Sequence, residues 1–248
     1  MAAVGPVRSY CRCLDEQVTG AEMRACSAQV AMDKLIALPE WHVSVGGVCH
    51  HDDMIMQPID VSWLCGEYGE ECYGFIYLRT TPEQAIARLG GHYADFEPAR
   101  LPDEPDDWPD PGEPLGVASV GDWSIIFYPD WISIEEELIT RLSEGTRLVF
   151  HTALGVEDTD DFYWCEDGEI KYLYGGDDAF VMDPPDELAD AMEEINKLYP
   201  SIPRLYRGPA FLLIEYLTGI RPTEELLKSL TFRWGTVKRS GSDGGLIP

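Results

Sequence analysis

The sequence predicts an α+β fold, a mainly antiparallel sheet with flanking helices, and three observations carry that expectation. Between Gly116 and Tyr174, β-rich runs follow one another with short breaks. Two of them, Phe162-Tyr163-Trp164-Cys165 and Ile170-Lys171-Tyr172-Leu173-Tyr174, flank Asp167-Gly168, a dipeptide suited to a two-residue antiparallel hairpin. Apolar segments with helix start and stop residues stand on either side of this block. At 248 residues the chain is long enough to bury a core in one or two domains without covalent staples.

Thr19-Gly20-Ala21-Glu22 has the form of a capping box, and Met23, Cys26, Val30 and Ala37 follow near helical spacing. A helix over about 20–38 is expected, ending before Pro39, with a short strand over 42–46 after it. Residues 1–70 are expected to form an amino-terminal helical extension, and 71–240 the α+β domain. Phe75 to Leu78 leads into Thr80-Thr81-Pro82-Glu83, where a hydroxyl cap and a proline at the first helical position start a helix stopped by Gly90-Gly91.

From Asp95 to Pro114 there are six prolines and eight acidic residues, with Arg100 the single base, so a mobile acidic loop is expected there. Gly116–Val120 and Trp123–Tyr128 read as strands broken at Gly121-Asp122. Ser133 with Glu136 suggests a second capping box, before an apolar face of Leu138, Ile139 and Leu142. A strand is expected over 146–154, then the Asp167-Gly168 hairpin. Pro185–Leu198 and Pro209–Leu217 read as helices, the second closed by Gly219, and a last helix opens at Pro222.

Three groups of residues look similar to one known family. They are Phe75 through Thr80-Thr81-Pro82-Glu83 to Arg88-Leu89-Gly90; Val120-Gly121-Asp122-Trp123 with Leu142-Ser143-Glu144-Gly145-Thr146 and Glu166-Asp167-Gly168; and Leu217-Thr218-Gly219-Ile220-Arg221 with Glu225-Leu226-Leu227. In that order and spacing, from Cys72 to about Val237, the chain resembles an actinobacterial domain-of-unknown-function family, the one numbered six-four-six-one. The resemblance implies a small intracellular protein and carries over no catalytic residues. The long amino-terminal extension and the acidic Pro-rich insert depart from the family pattern.

Charge says most about function. The 45 acidic residues against 18 Lys and Arg give a net charge of −27, which opposes direct binding to nucleic acid or anionic membranes. Residues 1–194 hold 41 acids and 10 bases, whereas 195–248 hold 4 acids and 8 bases. Such polarity suits electrostatic steering toward a basic partner. The leading expectation is a non-enzymatic, protein-binding module that engages a basic surface, in the manner of an immunity protein, an inhibitor or a nucleic-acid mimic. Its expected contacts are Asp106, Asp107, Trp108 and Asp110 in the loop, and Asp158, Asp160 and Asp161. Trp131, Phe162, Tyr163 and Trp164 are further aromatic anchor candidates among the acids. The oligomeric state is left open.

Two other classes compete. Cys49, His50 and His51, with Asp52 and Asp53, offer thiolate, imidazole and carboxylate ligands suited to zinc, although no Cys-x-x-Cys knuckle is present. That cluster, with the carboxylates of Glu67, Glu70 and Glu71, defines an alternative metal-dependent hydrolase. A structural component of a phage or secretion assembly is the other alternative, with Lys238-Arg239-Ser240-Gly241 as its docking tail. No Gly-x-x-x-x-Gly-Lys, Gly-x-Gly-x-x-Gly, Gly-x-Ser-x-Gly or His-Glu-x-x-His motif occurs. With no run of 18 apolar residues and no leader-like start, a cytoplasmic protein with reduced cysteines is expected.

Overall fold

The computed structural model describes residues 56–64, 72–101, 115–128, 135–155, 159–175, 182–200 and 205–237. All of them belong to one compact unit, Asp53–Pro248. Eight strands form a single, wholly antiparallel sheet: β1 (Cys72–Leu78), β2 (Glu97–Arg100), β3 (Leu115–Val120), β4 (Trp123–Tyr128), β5 (Arg147–Leu154), β6 (Thr159–Glu166), β7 (Glu169–Gly175) and β8 (Thr231–Gly235). Their spatial order is β2-β8-β3-β4-β1-β5-β6-β7. Five helices accompany them: α1 (Pro82–Arg88), α2 (Glu136–Leu142), α3 (Asp186–Leu198), α4 (Pro209–Thr218) and α5 (Glu224–Ser229). The expected α+β class with a mainly antiparallel sheet is therefore the observed one.

Antiparallel sheets commonly leave one face to water, but here both faces are covered. Along β1, Tyr73, Phe75 and Tyr77 point into one apolar layer, while Ile76 and Leu78 point into the other. The first layer is closed by α3, α4 and α5 through Leu188, Ile195, Phe211, Ile214 and Leu227, and the second by α1 and α2 through Ile86, Leu138, Ile139 and Leu142. The near-continuous apolar runs of β1 and β4 follow from this arrangement, because alternate residues on each strand meet different but equally dry surroundings. An aromatic seam runs through the first layer, with Phe75 stacked on Phe127 at 4.8 Å between ring centres.

Local chemistry accounts for the element boundaries. Thr81 caps α1 by accepting from the Gln84 N–H, Gln84 returns the bond to the Thr81 N–H, and Pro82 fills the first helical position. At the β6–β7 turn Asp167 and Gly168 take φ of 50° and 80°, the two left-handed residues that a type I′ hairpin requires. α2 begins at Glu136 with Glu135 as its cap, which makes no side-chain capping bond. Ser133 of the expected capping box, the helix expected over 20–38 and the strand expected over 42–46 lie outside the described residues.

Three differences from expectation are physical in origin. Glu97–Arg100, at the start of the expected acidic loop, forms β2 and pairs with β8. This is an edge strand with one neighbour, so Pro98 can join it with the imino nitrogen turned away from the ladder. β8 itself, Thr231-Phe232-Arg233-Trp234-Gly235, was not expected, since it follows α5 with only Leu230 between. Residues 56–64, expected within the amino-terminal extension, contribute Ile59, Val61 and Leu64 to the first layer. They are held there by Arg221, which donates to the carbonyls of Gln57 and Pro58 at 3.1 Å each, and by the Tyr199 hydroxyl, which accepts from the Ile59 N–H.

Two glycines test this packing differently. Gly168 has positive φ, and a Cβ there would meet only ordinary contacts, so Gly168→Ala is expected to cost about 1–2 kcal/mol, the left-handed penalty for an L-residue. Gly208 sits at φ 122°, and a Cβ would lie 2.5 Å from the Tyr199 Oη, so Gly208→Ala is expected to cost clearly more. Urea unfolding of the two variants checks the order; equal losses would contradict the packing around Tyr199.

Candidate functional site

Most of the residues expected to carry function lie outside the described residues: Cys49, His50 and His51 with the zinc expectation, Asp106, Asp107, Trp108 and Asp110 of the loop, and Asp158. Asp160 and Asp161 are described, and the strand separates them. Successive residues of β6 point to opposite faces, so Asp161 is half-buried and abuts Gly175, whereas Asp160 is turned into the first layer beside Phe162 and is 0 % exposed. Asp160 is therefore a core residue and not a surface contact. Phe162 and Trp164, considered as surface anchors, are also core residues. Tyr163 is half-buried, and burial, reinforced by the charge of Asp161, pushes its hydroxyl up to about 12.

Asp160 has a partner that the sequence did not bring forward. His151 on β5, also 0 % exposed, places Nε2 3.9 Å from Asp160 Oδ2, within ion-pair reach but beyond a hydrogen bond. The same oxygen accepts the Tyr206 N–H at 2.8 Å and so fixes the short 3-10 turn that leads into α4. Tyr73, Phe162 and Phe211 surround the imidazole with ring centres at 5.5, 6.2 and 5.7 Å. Both ring nitrogens and Asp160 Oδ1 lack hydrogen-bond partners among the described residues. Both side chains are closed off from solvent, and through the Tyr206 N–H the pair ties β5 and β6 to the turn before α4.

Two of the seven cysteines are described, Cys72, which is half-buried, and Cys165. Cys165 is buried in the second layer, where burial, with a smaller contribution from Glu136, pushes its thiol up to about 12, away from the reactive thiolate. Among the described residues no group of three or more His, Cys, Asp or Glu side chains is placed to hold a metal ion.

Two surfaces remain. The first is α3, whose apolar edge, Leu188, Ala191 and Ile195, is buried while Asp186, Glu187, Asp190, Glu193 and Glu194 stay exposed. Two acids in its first turn also favour the helix dipole. Lys197 pairs with Glu193 at 2.8 Å and Glu194 at 2.7 Å, Glu187 feels the charge of Lys171, and none of Asp186, Glu187 and Asp190 forms an ion pair among the described residues. Asp186, Glu187 and Asp190 form an acidic stripe at three- and four-residue spacing, and the exposed Asp183 lies just ahead of the helix.

The second is a loop rim at one end of the sheet, where two adjoining clefts of about 600 and 420 Å³ share Arg79, Asp122, Gly145 and Thr146. The loops are bonded to one another. The Arg79 N–H donates to the Arg147 carbonyl at 3.0 Å, and Thr146 Oγ1 donates to the Arg79 carbonyl at 2.6 Å. Ser124 Oγ donates to the Thr80 carbonyl, the Gly145 N–H donates to Asp167 Oδ1, and the Asp167 N–H donates to the Thr146 carbonyl. Arg88 closes the back of the rim by donating to the carbonyls of Leu142 and Glu144. Arg147 pairs with Glu166, donates to the Leu217 carbonyl at 2.9 Å and lies 5.8 Å from the Trp164 ring centre.

The sequence groups that resemble a known family, Thr80-Thr81-Pro82, Gly121-Asp122, Gly145-Thr146, Asp167-Gly168 and Leu217, converge on this rim. Comparison with family models matches residues 79–242 to a family of unknown function, DUF6461. The chain belongs to that family. No match was found among curated proteins or among solved structures. Within the described residues no helix is long and apolar enough to cross a membrane.

The role of Asp160 is open to test. Asp160→Ala leaves the buried Tyr206 N–H without an acceptor and is expected to cost about 1–3 kcal/mol, while Asp160→Asn keeps an acceptor oxygen and costs less. Denaturant unfolding of both variants measures the difference, and an Asp160→Ala protein as stable as the parent would contradict this placement.

Proposed function

We propose that this DUF6461 member is a non-enzymatic module of the cytoplasm that binds a basic protein surface, with no direct nucleic-acid or membrane contact. The observation that carries the reading is the α3 stripe: Asp186, Glu187 and Asp190 present three carboxylates on one exposed helix face, with the charge of Lys171 felt at Glu187 but no ion pair formed among the described residues. Charges arranged in this way raise association rates and discourage like-charged partners more than they add affinity. The acids of 103–113 and 157–158 add to the same sign. In this reading the partner's basic face meets α3 first, and Asp106, Asp107, Trp108, Asp110, Asp158 and Asp161 extend the contact.

A triple variant, Asp186→Asn, Glu187→Gln and Asp190→Asn, alters charge at exposed positions of α3 and leaves its buried edge intact. Affinity capture from the native extract at low and moderate salt, followed by association kinetics with the retained protein, is the test. The parent should retain a basic protein less well as salt rises, and the triple variant should associate about tenfold more slowly with a shallower salt dependence. Association unchanged in the triple variant and in Asp106→Asn, Asp107→Asn, Trp108→Ala would overturn the proposal.

A further inference from the structure

We propose that the loop rim at the end of the sheet binds an oxyanion, the carboxylate or phosphate of a small polar ligand, through the terminal amines of Arg79. This site is separate from the α3 face and does not depend on the partner reading. Arg79 is fixed at its root by both backbone groups, the N–H to Arg147 and the carbonyl to Thr146. Its Nε lies 2.7 Å from Asp122 Oδ2, so one edge of the guanidinium faces a carboxylate and the Nη edge is left to a ligand. The Nη amines have no partner among the described residues, and Arg79 lines both clefts. A guanidinium held in this way offers a ready fork to a planar or tetrahedral oxyanion, and such charge-assisted pairs are strong and directional.

The neighbouring cations differ. Arg147 is committed through both Nη atoms, to Glu166 and the Leu217 carbonyl, whereas Arg88 bonds two carbonyls through Nη1 at the back of the second cleft. Of the three carboxylates that line the clefts, Glu166 pairs with Arg147, Asp167 accepts from the Gly145 N–H, and the competitor at Arg79 is Asp122. Its pair with Arg79 is 59 % and 62 % exposed on the two sides, a setting in which ion pairs contribute little and yield readily. The whole-chain charge of −27 disfavours a polyanion, whereas a small ligand meets only the local field within a Debye length of about 8 Å at physiological salt. That selects a small molecule over nucleic acid.

The test is calorimetric titration of the full chain with inorganic phosphate and, separately, with succinate, in 150 mM sodium chloride. Saturable binding of either anion is expected, and which one binds identifies the oxyanion. Arg79→Gln should weaken it about tenfold or more, Arg79→Lys by less, and Arg100→Gln on the distant edge strand not at all. Asp122→Asn removes the negative charge beside the guanidinium and should tighten binding about threefold. Circular dichroism confirms that each variant is folded. Absence of saturable binding for both anions, equal affinity in Arg79→Gln, or weaker binding in Asp122→Asn would each overturn the proposal.

Discussion

The structure depends on one constraint, that an antiparallel sheet is buried on both of its faces. β1, at the middle of the sheet between β4 and β5, shows it most clearly: Tyr73, Phe75 and Tyr77 serve one layer, and Ile76 and Leu78 the other. A strand in that position tolerates few polar side chains on either side. The helices before and after the strand block are thereby required, with α1 and α2 covering one face and α3, α4 and α5 the other. Phe211 of α4 packs against Tyr73, Phe75 and His151, which ties the latest large helix to the first strand of the sheet. The His151–Asp160 pair is the polar exception in this layer, and it joins the strands to the turn that starts α4.

The same constraint determines where charge can go. With two dry layers, the carboxylates among the described residues other than Asp160 are half-buried or exposed, so acid-rich composition there becomes acid-rich surface. α3 shows this directly, its apolar edge turned inward and its acids outward. The sheet's rigidity also passes to its ends: the connections leaving β1, β3 and β6 and the one entering β5 lie side by side, and their side-chain bonds to one another's backbone make a preorganised rim. A rigid scaffold with polar loops at one end is a common way for proteins to hold binding groups in place.

Much of this architecture was legible in the sequence. The Asp167-Gly168 turn, the Thr81-Pro82 helix start and the apolar runs of β4 and β5 depend on local rules, and the structure follows them, whereas the run of β1 fits a strand or a helix by sequence alone. Where pairing decided the outcome, the sequence was less informative. β2 is a strand because β8 offers an edge, and β8 is short and directly follows a helix. Asp160 lay in an acidic run whose composition suggested a solvated surface, and only the strand register sends it inward to His151. The rim was hidden for a related reason, since Arg79, Asp122, Thr146 and Asp167 lie far apart along the chain and meet only through sheet topology. The lone bases Arg79 and Arg147 in an acid-rich chain were the available hint.

The central claim is that burial on both faces makes the sheet and its loop rim one rigid body. Amide hydrogen exchange, followed residue by residue, tests it most directly. The amides of β1, β4 and β5 are expected to exchange only through global unfolding, and those of Arg79, Gly145 and Asp167 at the rim to share much of that protection. Rapid exchange at the three rim amides beside a protected sheet would contradict the account.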